Sequence, residues 1–214
     1  PQTPLAFLAR TASVFPEKLA VVHGTHRATW GEVDLEVRRI AAGLRARGIG
    51  PGDVVAVLAP NTPGFVALNF AIPMAGAVML TLNTRLDAGT IAAILDHAEA
   101  RVLLVDGALA PLAADALARM KGRRPVVVDL PAPADEARGP IGTMDYAALL
   151  ASGDPAMAWA LPGDEWQSIT LNYTSGTTGN PKGALYSHRS AALNAMANAL
   201  SFGLGDRAVY LWTL

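Results

Sequence analysis

Residues 54–82 read VVAVLAPNTPGFVALNFAIPMAGAVMLTL and contain no charged side chain. Val54–Ala59 and Val78–Leu82 are short apolar runs, which predict buried strands. Between them, Thr62 followed by Pro63 predicts the cap and the first residue of a helix that runs towards Pro73. A buried strand, a helix and a second buried strand are typical of a parallel sheet that is covered on both faces.

The same region raises the question of a membrane span, because no charged residue lies between Asp53 and Arg85. A run of about 18 apolar residues is the usual signal for a transmembrane helix. Pro73 and two asparagines, Asn61 and Asn69, interrupt this run, and they suit a packed protein interior better than lipid. The sequence therefore favours a globular core, and no membrane span is expected.

The remainder of the chain alternates between helical and strand patterns in the same way. The predicted helices are Ala6–Phe15, Gly31–Arg47, Leu86–Ala100, Leu109–Met120 and Arg189–Leu200. The further predicted strands are Leu19–Val22 and Arg27–Trp30, which form a hairpin, then Val102–Val105, Val126–Val128, Ser168–Tyr173 and Ala184–Ser187. Residues 131–140 carry three prolines and are expected to form an exposed linker. This alternation predicts an α/β fold with a largely parallel sheet covered by helices.

Composition and charge restrict the classes of function. Of the 214 residues, 51% are hydrophobic and 16% charged, which excludes a disordered chain, a coiled coil and a collagen-like fibre. Seventeen basic and 18 acidic residues give a net charge of -1, so neither nucleic acid nor an anionic membrane surface is an expected partner. The absence of cysteine excludes disulfides and a thiol nucleophile, and it fits a cytoplasmic protein.

Candidate chemistry is concentrated in residues 174–183, TSGTTGNPKG, between two predicted strands. The glycines allow backbone N–H groups to approach a ligand closely. Four side chains add hydroxyl donors, those of Thr174, Ser175, Thr177 and Thr178. With the positive charge of Lys182, these groups predict a cradle for a polyphosphate in preference to a flexible surface loop. Because Gly183 and a strand follow the lysine, the segment is not a Walker A loop. It also lacks the Gly-x-Gly-x-x-Gly spacing of a dinucleotide-binding fold.

The histidines show no spacing typical of metal ligands. His23, His26 and His97 are expected to be solvated or structural. For His188, a structural hydrogen bond is favoured over a role in shaping the loop. The helix that follows it is expected to pack against the sheet beside the loop.

Other conspicuous side chains are interpreted as structural. The four tryptophans are scattered and are expected to pack in the core: Trp30, Trp159, Trp166 and Trp212. Asp145–Tyr146 and Asp164–Glu165 are interpreted as helix starts or turns and not as paired catalytic acids.

Residues 173–183, YTSGTTGNPKG, resemble the AMP-binding signature of the adenylate-forming superfamily, with every fixed position present and Asn180 at the variable site. Ser187–Arg189 matches what usually follows this signature. Three further places resemble the acyl-CoA synthetase branch of this superfamily, namely Asn83–Leu86, Ile94–His97 and Asn172. The resemblance extends from residue 4 to residue 214 and is nearest to fatty-acyl-CoA or short- and medium-chain acyl-CoA ligases.

This resemblance implies the N-terminal α/β domain of such an enzyme and a reaction in two steps. A carboxylic acid and ATP would give an acyl-adenylate and pyrophosphate, and the thiol of coenzyme A would then displace AMP. Mg²⁺ is implied as a cofactor, with Thr174 as a contact of the metal. The implied ATP phosphate contacts are Thr174, Ser175, Gly176, Thr177, Thr178, Gly179 and Lys182. Lys182 is interpreted as an electrostatic clamp, because the family's catalytic lysine lies in a C-terminal domain.

Two alternatives stay open at this point. One is adenylation of an amino acid or aryl acid for transfer to a carrier thiol. The other is a non-catalytic nucleotide-binding module, against which the intact loop argues.

Residues 1–214 are predicted to be the first part of the N-terminal domain, with the C-terminal domain absent. The family's adenine and ribose motifs, its hinge and its catalytic lysine are not found, so no catalytic residue is expected here and the fragment alone should be inactive. Ala208–Leu214 predicts a buried strand, although domains usually end in polar residues. We therefore expect an exposed apolar surface that contacts further chain or another subunit, as in a homodimer.

Overall fold

The computed structural model describes residues 1–133, 135–174 and 182–212. The helices are α1 (Pro4–Val14), α2 (Trp30–Ala46), α3 (Pro63–Ala75), α4 (Ala88–His97), α5 (Ala110–Arg119), α6 (Tyr146–Ala151) and α7 (His188–Ser201), with a 3-10 turn at Gly107–Leu109. The strands are β1 (Leu19–His23), β2 (His26–Thr29), β3 (Val54–Leu58), β4 (Val78–Thr81), β5 (Val102–Asp106), β6 (Val126–Leu130), β7 (Met144–Asp145), β8 (Ser168–Thr174) and β9 (Lys182–Ser187).

Seven of the described strands form one sheet in the order β7-β6-β5-β3-β4-β8-β9. Every neighbouring pair is parallel except β8 and β9, which are antiparallel. The predicted hairpin of β1 and β2 forms a separate two-stranded sheet. A largely parallel sheet was expected from the alternation of strands and helices, and it is confirmed.

The core occupies both faces of the large sheet, because neighbouring residues of a strand point to opposite faces. On one face, Val55 and Val57 pack with α1, α2 and α3. On the other face, Ala56 and Leu58 pack with α4 and α5. All four side chains are fully buried. Helices thus cover both faces, as the continuous apolar strands predicted.

Helix α3 begins as predicted but ends later. The Thr62 side chain accepts a hydrogen bond from the backbone N–H of Phe65 at 3.3 Å, and Pro63 occupies the first helical position. The helix was predicted to run towards Pro73, and it continues through this proline for two residues, to Ala75. Gly76 ends it with φ of +93°, a left-handed conformation that favours glycine.

The sequence did not predict β7 or α6. Asp145 caps α6 by accepting a hydrogen bond from the backbone N–H of Ala148 at 2.7 Å, which confirms the interpretation of Asp145–Tyr146 as a helix start. Helix α6 lies so close to α2 that a Cβ on Gly43 would be 2.7 Å from the carbonyl oxygen of Leu149. This approach depends on glycine in the middle of α2.

Three expectations about the C-terminal part of the chain are wrong. Residues 208–212 form no strand, and Val209 is 97% exposed. No described strand lies alongside to pair with this segment, and a strand requires such pairing for its backbone groups. Helix α7 buries only His188 and Ala192 and leaves Leu193 exposed, so it does not pack broadly against the sheet.

The third wrong expectation is that Trp166 packs in the core. This side chain is 67% exposed and lies over the guanidinium of Arg189. The other three tryptophans pack against the core as expected. Within the described ranges, no helix is long and apolar enough to cross a membrane.

Candidate phosphate-binding hairpin

The antiparallel hairpin of β8 and β9 contains the predicted phosphate-binding segment. Thr174 pairs with Lys182, and Tyr173 pairs with Gly183. Thr174 and Lys182 form the last pair before residues 175–181, and both are exposed. A hydroxyl and an ammonium group therefore lie across from each other at the mouth of the segment that joins the strands.

Two of the seven predicted phosphate contacts lie among the described residues, Thr174 and Lys182, and the pairing brings them together. The other five lie outside the described residues: Ser175, Gly176, Thr177, Thr178 and Gly179. Both strands extend further than predicted, β8 by one residue and β9 by two. The hydrogen-bonded ladder therefore reaches into the signature from both sides.

The hairpin opens at the carboxyl edge of the parallel sheet. Strand β8 runs parallel to β4, with Thr81 beside Asn172, so the residues after β4 and after β8 leave the sheet at the same edge. The segment after β4 is Asn83–Arg85, where the Asn83 side-chain oxygen accepts a hydrogen bond from the backbone N–H of Arg85 at 2.9 Å. In open α/β sheets, this edge is where ligands bind.

Tyr173 lies close to three neighbours on the core side of the hairpin, namely His97, Leu171 and Gly183. Its hydroxyl lies 2.5 Å from Nδ1 of His97 at the end of α4. Its ring packs against the core cluster that contains Leu171. A Cβ on Gly183 would lie 3.3 Å from the Tyr173 Cζ atom and 2.9 Å from a methyl of Leu171. Burial raises the pKa of the Tyr173 hydroxyl, so this group stays protonated at neutral pH.

Sequence reasoning missed this contact. Gly183 was predicted only as one of the glycines that let backbone N–H groups approach a ligand, and His97 was predicted to be solvated or structural. The available signal was strand alternation, which places Leu171 and Tyr173 on one face of β8. The position of His97 beside that face could not be read from the sequence, because it depends on how α4 crosses the sheet.

A second concave region lies at the carboxyl ends of β3 and β5. The chain leaves these neighbouring strands in opposite directions, towards β4 and towards β6. The cavity there has a volume of about 680 Å³ and is lined in part by Asp106, Glu36 and Tyr146. Asp106 is buried, and burial raises the pKa of its carboxyl group. The Tyr146 hydroxyl donates a hydrogen bond to Glu36 at 2.6 Å.

His188 lies at the opposite end of β9 from the predicted phosphate-binding segment. Six strand residues separate it from residue 181, which corresponds to about 20 Å of extended chain. Its Nδ1 shares a hydrogen bond with the Thr3 hydroxyl at 2.8 Å. Burial lowers the pKa of His188 to about 4. The predicted structural hydrogen bond is therefore confirmed.

Among the described residues, no group of three or more His, Cys, Asp or Glu side chains lies close enough together to hold a metal ion. A metal at the hairpin would therefore need oxygen ligands of another kind, such as hydroxyls and the substrate's own phosphates.

Comparison with known proteins places the chain in a family. Residues 8–214 match the family model described as AMP-binding enzyme. An acetate/butyrate–CoA ligase of Arabidopsis thaliana, named peroxisomal, is 42% identical over 99% of this chain and 39% of its own length. An acetate–CoA ligase of Humulus lupulus is 41% identical over 99% of this chain and 39% of its own length.

A solved structure shows the same architecture. The crystal structure of an anthranilate CoA ligase in complex with anthranoyl-AMP matches with a TM-score of 0.81 and 25% identity, covering 92% of this chain and 37% of that one. The chain spans about two fifths of the length of the curated relatives named above. Sequence and fold agree, and the chain belongs to the AMP-binding enzyme family.

Proposed function

We propose that the complete protein is an acid–thiol ligase that activates a carboxylic acid with ATP and transfers the acyl group to coenzyme A. The observation that supports this most directly is the hairpin of β8 and β9, which holds Thr174 and Lys182 opposite each other at the carboxyl edge of the sheet. The two named CoA ligases at 42% and 41% identity support the same reaction class.

In the first step, a carboxylate oxygen attacks the α-phosphorus of ATP. The bond from the α-phosphorus to the bridging oxygen breaks, and pyrophosphate leaves with the electron pair. Negative charge grows on the β- and γ-phosphates, so fixed donors close to them lower the barrier. We propose that these phosphates are held by Thr174, Ser175, Gly176, Thr177, Thr178, Gly179 and Lys182.

Lys182 acts in this proposal as an electrostatic clamp. It begins β9 and is exposed at the mouth of the hairpin, so its ammonium group is free to approach a bound anion. The backbone pairing of Lys182 with Thr174 fixes where its side chain starts. Such fixed placement is what electrostatic stabilisation of a leaving group requires.

Mg²⁺ is proposed as the cofactor of this step. The Thr174 hydroxyl is exposed at the end of β8 and fits as one oxygen ligand, with phosphates and water supplying the others. When bound, the ion would neutralise phosphate charge. The chain's own residues would orient the triphosphate.

In the second step, the thiol of coenzyme A gives up its proton, and its sulfur attacks the acyl carbonyl carbon. The bond to AMP breaks, AMP leaves with the electron pair, and the thioester remains. Because the two relatives are named for acetate and butyrate, we propose short-chain carboxylic acids as the first substrates to test, with longer fatty acids next.

We further propose a cytoplasmic location and a homodimer for the complete protein. The lack of cysteine supports a reducing compartment. The Arabidopsis relative is named peroxisomal, so imaging of a tagged full-length protein should compare the two compartments. The exposed apolar side chains of α7 and the residues after it support contact with a second subunit, which light scattering would detect.

The reaction is tested by incubating the complete protein with ATP, Mg²⁺, coenzyme A and a panel of carboxylic acids. We expect acid-dependent exchange of labelled pyrophosphate into ATP and formation of AMP with the thioester. Formation of ADP and phosphate, or no exchange with any acid of the panel, would contradict the proposal. Acid-dependent exchange followed by transfer of the acyl group only to a carrier protein, and not to coenzyme A, would favour the carrier-thiol alternative.

A further inference from the structure

One side chain that the proposed chemistry does not use lies beside the mouth of the hairpin of β8 and β9. Tyr173 directly precedes Thr174, the last described residue before residues 175–181. Its side chain packs against the core cluster that contains Leu171. It is therefore placed to fix the backbone at the mouth of the hairpin from the core side.

Helix α4 anchors this side chain from outside the hairpin. His97 is the last residue of α4, and its Nδ1 lies 2.5 Å from the Tyr173 hydroxyl, with the two rings edge to face at 5.8 Å. Helix α4 itself is fixed, since Ile91, Ile94 and Leu95 are almost completely buried. The His97 ring therefore links the Tyr173 hydroxyl to a helix that is held firmly in the core.

Gly183 provides the space that this arrangement needs. It pairs with Tyr173 across the hairpin, and a Cβ there would meet both Tyr173 and Leu171 at 3.3 Å or less. The tyrosine ring can lie over the neighbouring strand only while that position has no side chain. Cross-strand contacts of an aromatic ring with glycine help to set strand register.

From these contacts we propose that His97 and Tyr173 act as a pair of positioning residues for ATP. The inference rests on the function proposed above. The pair fixes the strand ends on which Thr174 and Lys182 are carried, so these two residues are held in place before ATP binds. Preorganised donors are worth more than donors that must be ordered by the ligand.

The test is a double-mutant cycle in the complete protein. Tyr173→Phe removes the hydroxyl and keeps the ring, and His97→Ala removes its partner. We expect each to reduce kcat/KM for ATP by roughly threefold to tenfold, the effect of losing one hydrogen bond. The KM for the acid should stay within twofold. The double variant should lose no more than either single variant, because both remove the same contact.

Two further variants separate positioning from general structure. Tyr186→Phe removes a hydroxyl from the same hairpin, on an exposed side chain, and should leave ATP use unchanged. His97→Gln keeps a hydrogen-bonding group and should recover part of the loss.

Three outcomes would overturn the inference while the wild type is active. They are unchanged ATP kinetics in both single variants, additive losses in the double variant, and equal losses for ATP and acid together with a lower unfolding midpoint. A wild type that is inactive with every acid would instead contradict the proposed function, and so the two failures are distinguishable.

Discussion

Lys182 stands at the first position of β9, where its ammonium group is exposed beside Thr174. In the complete protein, Lys182→Ala should lower kcat/KM for ATP by roughly 10- to 100-fold, because a fixed charge near the leaving phosphates is lost. Steady-state kinetics and pyrophosphate exchange at saturating acid measure this. Lys121→Ala, which removes a lysine after α5, is the matched control and should behave as the wild type. Unchanged exchange in Lys182→Ala would remove this residue from its proposed role.

Because His188 is buried, the stability of the chain is predicted to depend on pH. Its pKa is about 4 in the folded chain and about 6.5 when unfolded. Between these values the unfolded state binds more protons, so stability falls as pH is lowered from 7 towards 4. The loss should be on the order of 3 kcal/mol.

Urea denaturation at several pH values compares the 214-residue chain with its His188→Gln variant, which has no titrating group at this position. The free energies of unfolding of the two should diverge in their pH dependence below about pH 6.5. Parallel curves would show that the imidazole does not control acid stability.

At the scale of single residues, the sequence predicted candidate site residues but not all of their neighbours. Thr174 and Lys182 were predicted as phosphate contacts, because glycines, hydroxyls and a lysine at close spacing form a local sequence pattern. The contact of His97 with Tyr173 joins residues 76 positions apart. No local pattern specifies such a contact, since it arises only when α4 is docked on the sheet.

Among the elements, the contact of α2 with α6 gives the sharpest test. Alanine in place of glycine normally stabilises a helix interior by about 1 kcal/mol. At Gly43, however, the new Cβ would lie 2.7 Å from the carbonyl oxygen of Leu149. Gly43→Ala should therefore destabilise the chain by about 1–3 kcal/mol, because the two helices must move apart.

Thermal or urea unfolding measures this change. Gly50→Ala serves as its control, since a Cβ there meets nothing within 4 Å, and it should be nearly neutral. If Gly43→Ala were stabilising, the close approach of α6 to α2 would be refuted.

The elements with strong apolar periodicity were predicted well, and the short ones were not. Helix α2 and strands β3 and β5 match their predicted positions within about two residues. Strand β7 has two residues and α6 has six, which is too short for a periodic signal. Helix α3 continues beyond Pro73, and it ends at Gly76, where the backbone adopts the αL conformation.

For the molecule as a whole, the apolar side chains near the end of the described chain predict self-association. Leu200, Val209 and Leu211 are 84%, 97% and 81% exposed, and exposed apolar patches promote contacts between proteins. The 214-residue chain should therefore form dimers or larger species at micromolar concentration, measured by light scattering. Changing these three residues to lysine should shift it towards the monomer.

The control places three lysines at exposed polar positions of α7, the helix that contains Leu200, namely Asn194, Asn198 and Ser201. It adds the same charge but leaves the apolar side chains in place, so association should persist. Equal dissociation by both variants would attribute the effect to charge alone.

The order of strands illustrates what the sequence leaves undetermined at this scale. Alternating apolar patterns predicted a parallel sheet, because each strand is buried on both faces. They could not predict that β8 would return to pair with β4, since a run such as Leu80–Leu82 fits many neighbours equally well.

That return has a consequence for biosynthesis. Strand β4 obtains its second neighbour from a segment made about ninety residues later. On the ribosome, β3 to β6 can assemble before β8 is made, and β4 is then an edge strand of the nascent sheet. Exposed edge strands can pair with other chains. Translation speed between these two segments, and chaperones that shield the waiting strand, should therefore govern the yield of correctly folded molecules more than they would for a fold built from sequential neighbours.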